Sequence, residues 1–113
     1  MALKKDHHFN TRIIHDGQSP DKWEGSTLPP IFQTASHAHP TAENLSQTFG
    51  GKTTDHIYMR LTNPTNRVLE EKLTDLEVGG GSVVMSSGMA AITNASPALL
   101  RAGDALVTGN SLC

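Results

Sequence analysis

Residues 83–92, with the sequence VVMSSGMAAI, place small polar residues and one glycine between an apolar stretch and an alanine-rich stretch. This order predicts a short buried strand, a turn and the start of a helix. A helix N-terminus has free N–H groups and a partial positive charge, and Gly88 lets an anion approach the backbone closely. The turn at Ser86, Ser87 and Gly88 is therefore a candidate for binding phosphate. The simpler interpretation is an ordinary capped helix, because the pattern is neither a P-loop nor a dinucleotide-binding fingerprint.

Tyr58 and Arg60 are separated by one residue and precede an Asn-Pro pair. In an extended segment, residues i and i+2 point to the same side, so the phenol and the guanidinium would lie side by side. Such a pair suits a phosphate or a carboxylate. The alternative is a surface arginine and a half-buried tyrosine in front of a well-capped helix.

The six histidines and the single cysteine offer weaker candidates. His37 and His39 could ligate a metal ion, but no cysteine accompanies them and Glu43 has no typical ligand spacing, so no metal site is predicted. Cys113 stands alone, which excludes an internal disulfide framework and a Cys-rich zinc site. A reducing, cytoplasmic location is the default for such a chain.

The predicted secondary structure changes in character near residue 62, between the segment that carries Tyr58 and the segment that carries the Gly88 turn. Prolines and glycines interrupt residues 1–62, so we expect an extended arm with one short helix, which Thr41 caps and Gly50 ends. The arm carries apolar side chains that need a surface to cover. Such an arm either stays flexible or lies on another subunit, and we expect it to pack on a neighbouring subunit.

Residues 63–113 alternate between helical and strand patterns. An asparagine followed by Pro64 predicts the start of a helix, which ends before a run of three glycines. Strands are predicted at residues 82–85 and 105–108, joined by a helix that has a buried face and is interrupted by Pro97. This order predicts an α/β fold with a parallel sheet and a right-handed crossover, of which these residues form an incomplete part.

Length and charge set further limits. The 113 residues form at most one small domain. Nine Lys and Arg against eleven Asp and Glu give a net charge of −2, which excludes a broad cationic surface for nucleic-acid phosphates. No apolar run is long enough to span a bilayer, and the N-terminal residues lack the apolar core of a secretory signal. We expect neither a nucleic acid nor a membrane as a partner.

Together the motifs closely resemble the Cys/Met-metabolism family of pyridoxal-phosphate (PLP) enzymes, which includes cystathionine γ-synthase, cystathionine lyases, methionine γ-lyase and O-acetylhomoserine sulfhydrylase. The matching motifs are Thr11-Arg12-x-x-His15-x-Gly17, Leu28-Pro29-Pro30-Ile31-x-Gln33-Thr34, Tyr58-x-Arg60-x-x-Asn63-Pro64-Thr65, Ser86-Ser87-Gly88-Met89-Ala90-Ala91-Ile92 and Ala98-Leu99-Leu100-x-Ala102-Gly103-Asp104. The likeness extends from about Phe9 to Cys113. The stretch over residues 42–58 looks most similar to the sulfhydrylase branch.

The resemblance implies the N-terminal part of the fold-type-I PLP-dependent transferase fold. Residues 1–62 would form the arm, and residues 63–113 would begin the parallel-sheet domain that binds PLP. The resemblance also implies that Ser87, Gly88 and Met89 hold the cofactor phosphate, mainly through backbone N–H groups.

In this family, the tyrosine and arginine that match Tyr58 and Arg60 reach across a subunit interface to the phosphate of the neighbouring protomer's cofactor. The implied assembly is a homotetramer, a dimer of dimers. The implied reaction is γ-replacement on an amino-acid substrate, in which O-acetylhomoserine loses acetate and gains sulfide or a thiol, giving homocysteine or methionine. The synthase and lyase reactions of the same family remain alternatives. So do a truncated, non-catalytic subunit that assembles with a longer chain, and a small phosphate-binding module unrelated to PLP.

Two departures from the family pattern limit the implied activity. The Schiff-base lysine, the aspartate facing the pyridine nitrogen and the arginine that holds the substrate carboxylate would lie beyond Cys113. Lys52 and Lys72 do not match the context of that lysine, so no catalytic residue is assigned and the chain alone is expected to be inactive. The position of the family's ring-stacking aromatic residue also falls on Cys113, whose thiol cannot supply the same stacking area.

Overall fold

The computed structural model describes residues 7–111 of the 113-residue chain. Within this range lie four α-helices and one 3₁₀ turn: α1 (Phe9–His15), the 3₁₀ turn (Pro20–Lys22), α2 (Ala42–Phe49), α3 (Pro64–Leu76) and α4 (Gly88–Leu99). The chain divides into two units, Met1–Val83 and Val84–Cys113, and each is described by itself. The expectations for Cys113 and for the residues before His7 lie outside the described residues.

The starts of α2 and α3 follow from side-chain caps. Thr41 Oγ1 accepts a hydrogen bond from the Asn44 N–H at 3.1 Å, which satisfies one of the free donors at the start of α2. At the start of α3, Asn63 Oδ1 accepts from the Thr65 N–H at 2.8 Å, and Pro64 is the first helical residue. The predicted starts of both helices are confirmed.

The N-terminal arm is less extended than predicted, because α1 packs on α3. Arg12 Nε pairs with Asp16 at 3.0 Å, Asp16 is only 5% exposed, and the Arg12 guanidinium also donates to the Asp75 carbonyl. Lys72 Nζ donates to the Ile13 carbonyl at 2.9 Å. A helix of seven residues is too short to persist alone, so these contacts with α3 explain why α1 forms.

Gly17 directs the chain away from α1. Its φ is +76°, a left-handed conformation that side chains with a Cβ rarely adopt. A Cβ built on it would lie 2.6 Å from the Val68 carbonyl oxygen of α3. Backbone conformation and close packing therefore both require glycine here.

In the second unit, α4 begins at Gly88 after the N-cap residue Ser87 and continues through Pro97. Proline has no N–H, so the Thr93 carbonyl receives no hydrogen bond from this position. The helix nevertheless continues for two more residues, and the Leu100 N–H donates to the Ser96 carbonyl at 2.8 Å. The predicted helix is confirmed, with a missing backbone hydrogen bond at proline.

The parallel sheet predicted from the sequence is not formed among residues 7–111. Residues 82–85 and 105–108 adopt neither helix nor strand, and the β pairing within the described range is one antiparallel bridge between Ser36 and Tyr58. A strand exists only when its N–H and C=O groups pair with a neighbouring strand, and these two segments do not pair with each other. The sequence pattern indicates a preference for strand, but it does not show whether a neighbouring strand is present to pair with.

Apolar side chains of the described residues remain largely accessible. The residues below 9% exposure that are polar or charged are Asp16, Thr48 and Asn63, and no buried hydrophobic side chain accompanies them. The face of α4 that we expected to be buried is open: Ile92 is 57% exposed and Leu99 82%. Among residues 7–111, no helix has both the length and the apolar content that crossing a bilayer requires.

Candidate functional site

The start of α4 has the geometry of an anion-binding turn. Ser87 is extended (φ −159°, ψ 160°), and its Oγ accepts from the Ala90 N–H at 3.1 Å. The N–H groups of Gly88 and Met89 lie in the first turn, where a helix has no internal acceptor for them. A Cβ built on Gly88 would meet nothing within 4 Å, so the approach to these N–H groups is open within this unit. The helix predicted after this turn is confirmed, and phosphate binding by the turn stays a prediction.

Tyr58 and Arg60 are brought together in the first unit, but by a turn and not by an extended strand. The Tyr58 carbonyl accepts from the N–H groups of Leu61 at 2.9 Å and Thr62 at 3.1 Å, which closes the turn. The Arg60 guanidinium carbon lies 5.1 Å from the centroid of the Tyr58 ring, within the range of a cation–π contact. The expected alternation along a strand is therefore wrong, although the two side chains do lie side by side.

The turn is attached to the segment over residues 35–37. The Met59 N–H donates to the Ala35 carbonyl at 2.9 Å, and the His37 N–H donates to the Ile57 carbonyl at 3.0 Å. These two bonds form the antiparallel bridge around Tyr58. The backbone on the N-terminal side of the turn is thus fixed against a second part of the chain.

The C-terminal side of the turn leads directly into α3 and is also anchored. Asn63 is 8% exposed, and its Nδ2 donates to the Phe32 carbonyl at 3.0 Å. The Thr65 hydroxyl accepts from the Phe32 N–H at 2.9 Å, and the Phe32 ring lies 5.5 Å from that of Trp23. Asn63 therefore has two roles, as the helix cap and as a clamp on a segment about thirty residues away, and only the first could be predicted from the sequence.

Two histidines that sequence reasoning left without a role adjoin this turn. His56 Nδ1 lies 2.9 Å from Thr62 Oγ1, and the His56 ring centroid lies 5.4 Å from that of His37. Partial burial lowers the pKa of His56 from 6.5, and the positive potentials of His37 and Arg67 lower it further. The neutral form of His56 is therefore favoured in this environment.

A cleft of about 500 Å³ lies beside these histidines and is lined in part by α3. The ring nitrogens Trp23 Nε1, His37 Nε2 and His39 Nε2 are buried there without a hydrogen-bond partner among residues 7–111. His39 Nδ1 lies 2.7 Å from the Asn44 side-chain oxygen. Within the described range, no three His, Cys, Asp or Glu side chains are grouped so that they could hold a metal ion.

The two candidate motifs belong to different units of the chain. Tyr58 and Arg60 lie in Met1–Val83, and the Ser87–Met89 turn lies in Val84–Cys113. Binding of an anion by either motif stays a prediction. Their meeting at one phosphate across a subunit interface stays a prediction.

Known proteins resemble this chain over most of its length. It is 41% identical over 104 residues to an L-methionine gamma-lyase from Pseudomonas putida, covering 92% of this chain and 26% of that protein. It is 42% identical over 104 residues to an O-acetyl-L-homoserine sulfhydrylase from Corynebacterium glutamicum, covering 92% of this chain and 24% of that protein. The chain thus spans about a quarter of the length of these curated relatives.

Solved structures agree with the sequence relatives. A crystal structure of metB from Corynebacterium glutamicum matches with a TM-score of 0.76 and 30% identity, covering 90% of this chain and 25% of that chain. A structure from Campylobacter jejuni that contains N'-pyridoxyl-lysine-5'-monophosphate at its position 205 matches with a TM-score of 0.74 and 29% identity, covering 80% of this chain and 22% of that one. The helical scaffold of this chain is therefore similar to the corresponding part of these two solved structures.

One family model spans both the Tyr58–Arg60 turn and the Ser87-capped helix. The family described as Cys/Met metabolism PLP-dependent enzyme matches residues 10–113, nearly the whole sequence. The resemblance inferred from the motifs is confirmed, and this chain belongs to the PLP-dependent enzymes of Cys/Met metabolism.

Proposed function

We propose that this chain forms the N-terminal portion of a PLP-dependent enzyme of the O-acetylhomoserine sulfhydrylase type. The whole enzyme would replace the acetate of O-acetylhomoserine with sulfide or a thiol, giving homocysteine or methionine. The observation that carries the proposal is the Ser87-capped, glycine-started N-terminus of α4 in a member of a PLP-dependent family. The 42% identity to the Corynebacterium glutamicum enzyme supports the sulfhydrylase branch.

The donors at the start of α4 fit the phosphate of PLP. Two backbone N–H groups, at Gly88 and Met89, lack intrahelical acceptors, and the helix dipole adds a partial positive charge. The open space at the Gly88 Cβ position gives a phosphate oxygen access to the backbone. The Ser87 hydroxyl holds the first turn in shape by accepting from the Ala90 N–H.

Tyr58 and Arg60 would supply side-chain donors to the phosphate of a neighbouring protomer. The cation–π contact keeps the guanidinium beside the phenol, so both groups can be presented from one turn. Arginine is suited to this role because its planar fork of N–H groups matches phosphate oxygens. A contact to a neighbouring protomer's phosphate requires a homo-oligomer. The family resemblance further implies a tetramer built as a dimer of dimers, and we also propose a cytoplasmic location.

PLP, when bound, supplies the chemistry of an electron sink that stabilises carbanions on the amino-acid substrate. The part of the enzyme in this chain would bind and orient the phosphate end of the cofactor. Lys72 does not qualify as the lysine that anchors PLP, because its Nζ already donates to the carbonyls of Ile13 and Ile14 at 2.9 and 3.3 Å. We propose that the anchoring lysine comes from sequence outside this chain.

A second candidate function is γ-elimination by the same machinery. The 41% identity to the Pseudomonas putida L-methionine gamma-lyase is close to that of the sulfhydrylase relative. A phosphate-binding helix and a Tyr–Arg pair serve either reaction, since neither selects the group that leaves the substrate.

The phosphate assignment can be tested by titrating the isotopically labelled 113-residue chain with PLP and with inorganic phosphate, followed by amide NMR. We expect saturable shifts at Gly88 and Met89, because their N–H groups would donate to the phosphate. The start of α2 is the internal control, since Glu43 in its first turn repels an anion. The same purified chain should show no turnover of O-acetylhomoserine with sulfide.

Shifts of equal size at Ala42 and Glu43, or none at Gly88 and Met89, would contradict phosphate binding by the α4 turn. Turnover by the chain, free of any longer species, would contradict the proposal that the anchoring lysine lies outside it.

A further inference from the structure

The side chains of His56 and Thr62 meet across the base of the turn that carries Tyr58 and Arg60. Nδ1 of His56 lies 2.9 Å from Oγ1 of Thr62, although six positions separate the two residues. Between His56 and Thr62, the Tyr58 carbonyl accepts two backbone hydrogen bonds that bend the chain. The imidazole–hydroxyl contact therefore closes the open ends of the turn from which the Arg60 guanidinium reaches the phenol ring.

The His56 ring is itself held in place from a second segment. The His37 ring lies 5.4 Å from it at an interplanar angle of 40°. His37 is fixed in turn by its N–H, which donates to the Ile57 carbonyl at 3.0 Å. Through His37, the contact between His56 and Thr62 is thus connected to the β-bridge between Ser36 and Tyr58.

We propose that His56 is a positioning residue that orients the Tyr58–Arg60 pair, acting through Thr62 and supported by His37. The inference rests on the proposed function, in which that pair contacts the phosphate of PLP. It assigns no contact between His56 and the cofactor. The turn has its own backbone hydrogen bonds, so the role of His56 is to restrict the turn to the conformation that stacks guanidinium on phenol.

The charges around His56 make this role dependent on pH. His37 and Arg67 oppose its protonation, whereas Asp55 and Glu70 favour it less strongly, and together with partial burial they lower its pKa from 6.5. A proton on His56 places a second positive charge beside Arg67. The ordered turn is therefore most stable above pH 6.5 and loses stability as the pH falls through the lowered pKa of His56.

The experiment measures the geometry of the pair in the full 113-residue chain without any cofactor. Tyr58 is the only tyrosine, and the ring-current shift of the Arg60 side-chain protons is an NMR signal of the stacked arrangement. In His56→Ala we expect this shift to fall by at least half. In His56→Asn we expect it to be retained, because the asparagine amide can take the place of Nδ1, and to lose its dependence on pH between 7 and 5. His15→Ala, at an exposed position of α1, is the matched control and should leave the shift unchanged.

A wild-type ring-current shift in His56→Ala, or failure of His56→Asn to restore it, would overturn the positioning role. If His56→Ala loses helical circular dichroism, Thr62→Val decides the question, because it removes only the hydroxyl partner and is expected to reduce the shift in the same way. The phosphate titration of the α4 turn is a separate measurement. If phosphate does not shift the α4 amides but His56→Ala reduces the ring-current shift, only the proposed function is contradicted. If phosphate does shift these amides but His56→Ala leaves the ring-current shift unchanged, only this inference is contradicted.

Discussion

At the scale of single residues, Gly88 is a position where a substitution is expected to affect the proposed phosphate binding without affecting the fold. A methyl group there meets no atom within 4 Å in this unit, and the backbone does not require a positive φ. Alanine is also a better helix former than glycine. The helix therefore tolerates Gly88→Ala, whereas a phosphate oxygen close to the backbone would not.

We expect Gly88→Ala to keep the helical content of the chain and to weaken binding of PLP or inorganic phosphate by about tenfold. The estimate corresponds to one charge-assisted hydrogen bond, worth ~1.5 kcal/mol. The measurement is the phosphate dependence of the Met89 amide resonance. Gly80→Ala is the control, since a Cβ there is also free of contacts. Equal affinities of both variants and the parent chain would argue against close approach of the phosphate at Gly88.

At the scale of elements, α1 depends on its contact with α3. Its polar anchors are Arg12 and the C-cap residue Asp16, and its apolar residues remain substantially exposed, with Phe9 at 54% and Ile14 at 59%. Gly17 makes the close approach to α3 possible, because a Cβ would lie 2.6 Å from a backbone oxygen that cannot rotate away. Loss of this approach should release the whole helix.

We expect Gly17→Ala to increase amide exchange throughout α1 by more than tenfold. The substitution combines a left-handed φ of +76° with a backbone clash. Gly51→Ala is the matched control, because its φ is +68° but its Cβ would meet no atom within 4 Å. It should cost only the conformational penalty of about 1–2 kcal/mol at its own turn. If both variants leave the Asp16 amide equally protected, the clash with Val68 is not what Gly17 avoids.

The sequence predicts elements well where local chemistry determines them. Thr41 and Asn63 were predicted as helix caps, and both caps are present. The helix α1 was not predicted, because its stability comes from hydrogen bonds to residues about sixty positions away. The strands failed for a related reason: β-branched composition at residues 82–85 indicates a preference, but a ladder needs a partner.

The candidate site also contains features that the sequence predicts and features that it does not. Residue types and spacing made Tyr58, Arg60 and the turn around Gly88 candidates for phosphate binding, and the family resemblance implied the roles of Ser87, Gly88 and Met89. The turn that begins at Tyr58 was missed, because an extended segment was expected there, and its attachment to residues 35–37 by two backbone hydrogen bonds has no local sequence pattern. His56 was missed because a lone histidine has no diagnostic spacing.

At the scale of the whole molecule, the described residues lack an apolar core. No hydrophobic side chain in this range is buried, and Ile31, Leu99 and Val107 are 76%, 82% and 93% exposed. Burial of apolar surface is the main favourable term in folding, so polar contacts and caps carry an unusually large share of the order. Such a chain is expected to be marginally stable when it is alone.

We therefore expect the isolated chain to bind a hydrophobic dye and to unfold in urea over a broad range of concentration. The slope of the unfolding free energy should lie below ~1 kcal/mol/M, the low end for small proteins, because little surface becomes newly exposed. Dye fluorescence and circular dichroism across the urea series provide the measurement. A sharp transition without dye binding would show that the chain buries apolar surface under solution conditions, for instance by self-association.

The start of α4 has a consequence for how freely this sequence can vary. Its donors to the phosphate would be main-chain amides, which every residue type except proline possesses. Genetic drift can therefore alter neighbouring side chains without removing the donors, provided the path of the polypeptide is preserved. Selection at such a site acts on chain geometry more than on chemical functionality, and a single proline at residue 89 would do more harm there than many changes of charge.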